Sequence, residues 1–367
     1  MAGASGRGGP NILRPLTHIA FLATWQDTLA YFSPAPAIVI ANLAVKERWA
    51  WFVNLAIAGG AVLFVGVTGI YHLTLSLTGT EPPLPPAILL VTGVVAVPVL
   101  FSRARRVIAR VLPLDPESPI AILALVAAIL IVGVQANYQA SHDALAAVNS
   151  SAQLQPIDVV VQEIPILLLA FLGVGLLTRR SPGEALQRLG IVRPTLWQLF
   201  AALAVAGVFV ALSQGAGYLQ QVLDPTVANR LNQATSHYYA GITGLAGIAA
   251  ISIAPGVAEE SFFRGALQPR LGVLLAALAF AAIHTQYALT LDSLLVFGLG
   301  CALGLVRRQL NTSVAIVTHA AYNALAGIGI PNQQLTLAIA TEVILVGAAV
   351  GLWYLARRNP EGHFHRP

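Results

Sequence analysis

Glu259-Glu260-Ser261-Phe262-Phe263-Arg264 interrupts one of the most apolar parts of the chain. Phe280-Ala281-Ala282-Ile283-His284 and His319-Ala320-Ala321-Tyr322-Asn323 interrupt the hydrophobic runs that follow it. An ionisable side chain in a bilayer is costly unless it is paired or faces a polar cavity. Three such groups on successive apolar runs therefore mark a functional site inside a membrane. Each has a plainer account on its own. The first reads equally as a charged helix end at the membrane interface, and a lone histidine in such a helix is more often hydrogen-bonded packing. Their joint occurrence points to a site.

Composition sets the class around these motifs. Hydrophobic residues make up 57% of the 367 and charged residues 10%, with a mean hydropathy of +0.75; a soluble domain carries about 25% charged residues. The chain reads as an all-α, polytopic transmembrane helical bundle. The net charge of +5 does not indicate nucleic acid, because the basic residues cluster in short loops between apolar runs, as the positive-inside rule requires. The single cysteine, Cys301, excludes an internal disulfide and a cysteine-based zinc site, and reads as a packed thiol.

From Trp49 onward about ten runs approach the roughly 20 residues needed to span a bilayer. They are 50–78, 84–101, 118–137, 158–178, 195–218, 241–260, 270–288, 290–306, 311–330 and 334–356. If every run spans, Lys46 and Arg48, the arginines of 103–110 and of 179–193, Arg264 and Arg270, Arg307 and Arg308, and Arg357 and Arg358 fall on one side. The alternate loops, 138–157 among them, carry only Arg230. The expected protein lies in the cell (plasma) membrane with both ends of its helical body cytoplasmic.

Residues 1–48 read as a Gly-rich tail and an interfacial or re-entrant segment, broken by His18, Asp27, Pro34 and Pro36; a signal peptide would need an uninterrupted apolar centre. Gly3-Ala4-Ser5-Gly6 lies in that tail and reads as chance. Accessory helices follow over 49–157, the motif-bearing core over 158–358, and a flexible tail over 359–367, whose His363 and His365 receive no function. Gly300 and Gly304 form a small-xxx-small pair, which favours close helix packing.

Helical geometry separates the two glutamates. Residues four apart share a face, so Glu260 can pair with Arg264 while Glu259 points about 100° away, free for chemistry. Phe280 and His284 share a face in the same way, as do His319 and Asn323. Glu163 and Glu342, inside apolar runs, could extend a polar cavity or form interhelical hydrogen bonds while protonated. Gln286 and Asp292 read as a surface loop near its mouth.

The ordered set EExxxR, FxxxH and HxxxN resembles the CPBP (also called ABI) family of CAAX-type endopeptidases and bacteriocin-processing or self-immunity proteins. The resemblance covers roughly 180–330, including a lead-in segment, Glu184-Ala185-Leu186 to Gly190-Ile191. It implies an intramembrane peptidase in which Glu259 activates a water with help from His284. His319 and Asn323 would hold the developing oxyanion, with Glu260, Arg264 and Phe280 supporting the site. Peptide hydrolysis needs such a base and such donors. The implied substrate is a peptide or membrane protein; its identity and the oligomeric state are not legible.

Three alternatives stand beside this reading. A non-catalytic immunity or scaffold protein of the same family would grip a peptide without cutting it. A transporter would show paired repeats with a site between its halves, whereas here the polar groups are confined to the last third. A zinc enzyme is the rival within the enzyme class, since Glu259, Glu260, His284 and His319 are acceptable ligand types. Zinc would leave Asn323 and Arg264 without a role, so no cofactor is expected.

The arginine pattern generates a topological prediction. In a Cys301→Ser background, an impermeant thiol reagent added outside the cell should label Ser141→Cys and leave Ser181→Cys untouched. Labelling of Ser181→Cys alone would invert the orientation.

Overall fold

The computed structural model describes residues 32–80, 82–329 and 335–358. The expected tails, 1–13 and 359–367, and most of the expected interfacial segment lie outside them. The described residues fold into helices joined by turns and loops, with no strand among them. In chain order they form α1 (Ala35–Leu43), α2 (Arg48–Leu77), α3 (Leu84–Ala96), α4 (Ser102–Ile108), α5 (Pro119–Ser141), α6 (Ala144–Ser150), α7 (Pro156–Gly173) and α8 (Pro182–Leu189). There follow α9 (Leu196–Leu223), α10 (Pro225–Tyr238), α11 (Gly244–Glu259), a π-helix (Glu260–Leu267), α12 (Gln268–Ala282), α13 (Leu291–Gln309), α14 (Thr312–Ile328) and α15 (Leu335–Arg358).

Six helices are long and apolar enough to cross a membrane, or seven if the bent Leu84–Leu100 and Ser102–Ile108 pair is one span. The ten expected runs are largely helical, and two features reduce the number that qualify as crossings by length and composition. The runs at 241–260 and 270–288 join into one 39-residue element, Gly244–Ala282. The backbone stays helical through the polar motif because Arg264, expected in a basic loop, is buried and paired rather than solvated. In addition, α13 carries Asp292, Arg307 and Arg308, and α14 is only 17 residues long. Of the expected segment at 16–45, the described part is α1, whose nine residues extend about 1.5 Å each and are too short to span. Its Asn42 is fully buried and donates to Leu172 O at 2.9 Å.

Apolar side chains cover the outside as well as the core. Phe64, Leu245 and Leu274 are among many large hydrophobics left exposed, which a surface facing lipid requires and one facing water avoids. The main core joins α2, α3 and α5 to the π-helix and α12 through Val62, Val99, Ile122, Leu125, Phe263, Leu271 and Phe280. The accessory helices are thus one packed body with the motif-bearing ones. Arg230, the exception to the arginine pattern, has its charge met by Asp143 at 2.6 Å.

The lead-in helix α8 fixes the relation between two site elements. Ser181 N and Oγ donate to Glu184 Oε2 at 2.8 and 2.9 Å, a cap at the N-terminus of α8, and Gly190 closes it with φ of 76°. On one side Thr312, at the start of α14, donates through Oγ1 to Leu189 O at 2.6 Å. On the other, Gly265 of the π-helix lies so close that a Cβ there would sit 2.9 Å from that same carbonyl oxygen. Gly265→Ala should therefore destabilise the protein by about 1–3 kcal/mol, as overpacking does. Thermal unfolding in detergent checks this: an unchanged midpoint would mean that α8 yields freely.

Candidate active site

Two prolines organise the site. Pro255, inside α11, has no N–H to offer the carbonyl four residues earlier, that of Ile251. Asn323 supplies the missing donor from α14, its Nδ2 lying 3.0 Å from Ile251 O. Pro269 repeats the pattern two residues past the π-helix. With π spacing the carbonyl of Arg264 would take the N–H of residue 269; instead Arg307 Nε donates to it at 3.1 Å. Side chains from α14 and α13 thus complete the backbone on either side of Glu259 and Glu260.

Within that frame Glu260 is wholly buried and Arg264 is 1% exposed. Glu260 Oε1 accepts from Arg264 Nη1 at 2.7 Å and from His319 Nδ1 at 2.9 Å. Arg264 Nη2 donates to Gly300 O at 3.2 Å, and its guanidinium lies over the Phe280 ring, 4.2 Å from the centroid. Gly300 allows this approach, since a Cβ there would press on Ala277 and Phe280 at 3.2 Å. Gln268 makes the matching contact one turn on, Nε2 to Gly304 O at 2.8 Å. The small-residue pair in α13 thus gives both close packing and open carbonyls.

Glu259, on the next residue, points elsewhere. It is 7% exposed, and its Oε2 has no hydrogen-bond partner among the described residues. His319 Nε2 stands 3.8 Å from that oxygen, so His319 lies between the two carboxylates with Nδ1 committed to Glu260. Glu260 Oε2 is similarly unpartnered.

His284 reaches the site through Phe280. Its Nδ1 donates to Phe280 O at 2.7 Å and its ring lies 4.5 Å from the Phe280 ring. That bond leaves Nε2 as the atom available to a ligand. The same Phe280 ring meets His319 edge-on at 6.0 Å. The histidine placed beside Glu259 is therefore His319, and no hydrogen bond joins His284 to Glu259 among the described residues. His319 is oriented by Glu260, a contact across 59 residues that spacing within one helix does not express. Asn323, expected to face a substrate, spends one of its two amide N–H groups on Ile251.

Residues 241–325 match the family model described as type II CAAX prenyl endopeptidase, Rce1-like. That match gives the segment a likeness to the CPBP/CAAX protease family. No curated protein and no solved structure matches the chain.

Further groups surround this CAAX-protease segment. Glu163, from α7, lies within electrostatic reach of Glu259 and has an unpartnered Oε2. Tyr239 lies within reach of Glu259, Tyr322, Tyr287 and Gln286, so the Gln286 loop lines the polar region instead of standing apart from it. Tyr322 meets Ser213 at 2.8 Å. Glu342, on α15, lies against Gly207 of α9. The signal for Glu163 was present as a lone carboxyl in an apolar run; the tyrosines, common in apolar helices, gave none. Among the described residues no three His, Cys, Asp or Glu side chains converge in a metal-binding group.

Asn323→Ala should strand Ile251 O and cost about 1–3 kcal/mol, the range for an orphaned buried polar group. In a Pro255→Ala background the same substitution should cost clearly less, because the restored N–H of residue 255 takes that carbonyl. Thermal unfolding of the four proteins checks it: equal losses in both backgrounds would contradict the capping role.

Proposed function

We propose that this protein is an intramembrane endopeptidase in which Glu259 activates a water for attack on a peptide bond. The observation that carries the reading is the buried, unpartnered Oε2 of Glu259 beside His319 Nε2, next to a second glutamate already consumed by an arginine. Glu259 takes a proton from the water, the resulting hydroxide attacks the scissile carbonyl, and that proton passes to the departing amine. The second amide N–H of Asn323 is the donor left to meet the carbonyl oxygen; His319 and His284, whose Nδ1 atoms already donate to Glu260 and to Phe280 O, can donate from Nε2 only with a second ring proton. Glu260, Arg264 and Phe280 act as positioning residues that hold His319. Metal-free chemistry is favoured because Arg264 occupies Glu260 and would repel a cation. The substrate on this reading is a peptide or membrane protein presented from the bilayer, and the basic loops face the cytoplasm.

One observation favours a second reading. His319 Nδ1 and one Asn323 N–H, two of the expected oxyanion donors, are already bonded within the protein, as suits a family member that binds a peptide without cutting it. The test is turnover of an internally quenched peptide with a farnesylated C-terminal CAAX sequence, and of its unfarnesylated counterpart, in proteoliposomes. Wild type should cleave at least one, and Glu259→Gln should lose activity by at least a hundredfold, the scale of general base catalysis, while keeping its unfolding midpoint. Full activity in Glu259→Gln would contradict the mechanism; retention of peptide without cleavage by wild type would favour the second reading.

A further inference from the structure

Five arginines converge at the end of the bundle where α7, α8, α12 and α13 meet. The last carbonyls of α7 are taken one after another by side chains. Asn42 donates to Leu172 O and accepts from Arg179 Nε at 3.1 Å; Arg270 Nη2 donates to Gly173 O at 3.1 Å; Arg180 Nη1 donates to Val174 O. Arg270 Nη1 also bonds Ala266 O, and Arg307 caps Arg264 O from the end of α13. Arg188 projects from α8 into electrostatic reach of Arg180, Arg270 and Arg307, and has no hydrogen bond among the described residues.

A helix C-terminus welcomes cations, which accounts for Arg179, Arg180 and Arg270 one at a time. It does not account for five guanidiniums together, nor for Arg188. Each carries five donors, and the carbonyls and Asn42 use one or two. The carboxylate that acts on Arg180, Glu184, is exposed and accepts from the Ser181 N–H and hydroxyl; it brings one negative charge to a cluster of five guanidiniums. Burial, and then the charges of Arg180 and Arg307, press the Arg188 guanidinium below its usual range; burial, Arg180 and Arg188 do the same to Arg179. Like charges gathered in a half-buried place call for a counter-anion with several oxygens.

We infer that Arg179, Arg180, Arg188, Arg270 and Arg307 form a binding site for a phosphate group, the headgroup phosphate of an anionic lipid. Guanidinium forks match phosphate oxygens two at a time, and a cluster at a bundle end stands at headgroup depth. The bound phosphate ties α8 to the π-helix through Arg307 and Arg270, which hold the backbone at Arg264 and Ala266. It therefore stabilises the segment that carries Glu259 and Glu260.

The test is thermal unfolding of full-length protein in neutral detergent, titrated with short-chain phosphatidylglycerol, phosphatidylcholine or inorganic phosphate. Phosphatidylglycerol should raise the midpoint with saturation while phosphatidylcholine does not. Arg188→Gln, whose side chain makes no structural hydrogen bond, should keep the lipid-free midpoint yet weaken the apparent affinity at least tenfold, with Arg188→Lys between. Arg110→Gln, an exposed arginine elsewhere, should respond as wild type does. An equal rise with inorganic phosphate, lost in Arg188→Gln, would support the phosphate site but assign it to a soluble phosphate. Equal effects of the two lipids, a wild-type response from Arg188→Gln, or equal weakening in Arg110→Gln would overturn the inference.

Discussion

The buried pair between Glu260 and Arg264 is the interaction on which the site depends. Removing two charges from water costs several kcal/mol per ion, and their attraction offsets this only when the remaining donors and acceptors are satisfied. Arg264 approaches the condition through Gly300 O and the face of Phe280; Glu260 meets it at Oε1, which also accepts from His319, and leaves Oε2 unpartnered among the described residues. Satisfying the pair therefore fixes three other elements. It brings α13 to within one hydrogen bond of the π-helix, sets Phe280 between Arg264 and His284, and turns the His319 ring so that Nε2 faces Glu259. Glu259 is left buried, with His319 Nε2 3.8 Å from its Oε2.

The π-helix and the two prolines belong to the same economy. A π turn and missing N–H groups leave backbone groups open, which is tolerated at membrane depth only where protein re-satisfies them. Asn323 and Arg307 do so from other helices. The sites of irregular backbone are thus the sites where helices distant in sequence are pinned together. The π-helix also carries charged residues through the bundle without a loop, so Gly244–Ala282 is one element.

Much of this was legible in the sequence. Polar residues in apolar runs exposed all three motifs, and i, i+4 spacing assigned Glu260 to Arg264. What remained hidden depended on which helix faces which. The Glu260–His319 bond, the Asn323–Ile251 bond and the reach of Glu163 toward Glu259 join segments 59, 72 and 96 positions apart, and no local period encodes them. Six or seven helices qualify as crossings by length and composition against the ten runs read, in part because a polar stretch in an apolar chain reads as a loop, whereas here its charges are neutralised internally. Pro255 and Pro269 were visible hints: a proline inside an apolar helix announces a carbonyl that some other side chain must cap.

The most direct measurement is a double-mutant cycle on Glu260→Gln and Arg264→Met, read by both unfolding midpoint and peptidase turnover. Each single variant should lose about 3–5 kcal/mol by stranding a buried charge, and the double variant should recover part of that loss. Turnover should stay low in the double variant, because His319 loses the carboxylate that orients it. Strictly additive stability losses, or turnover restored in the double variant, would contradict the account.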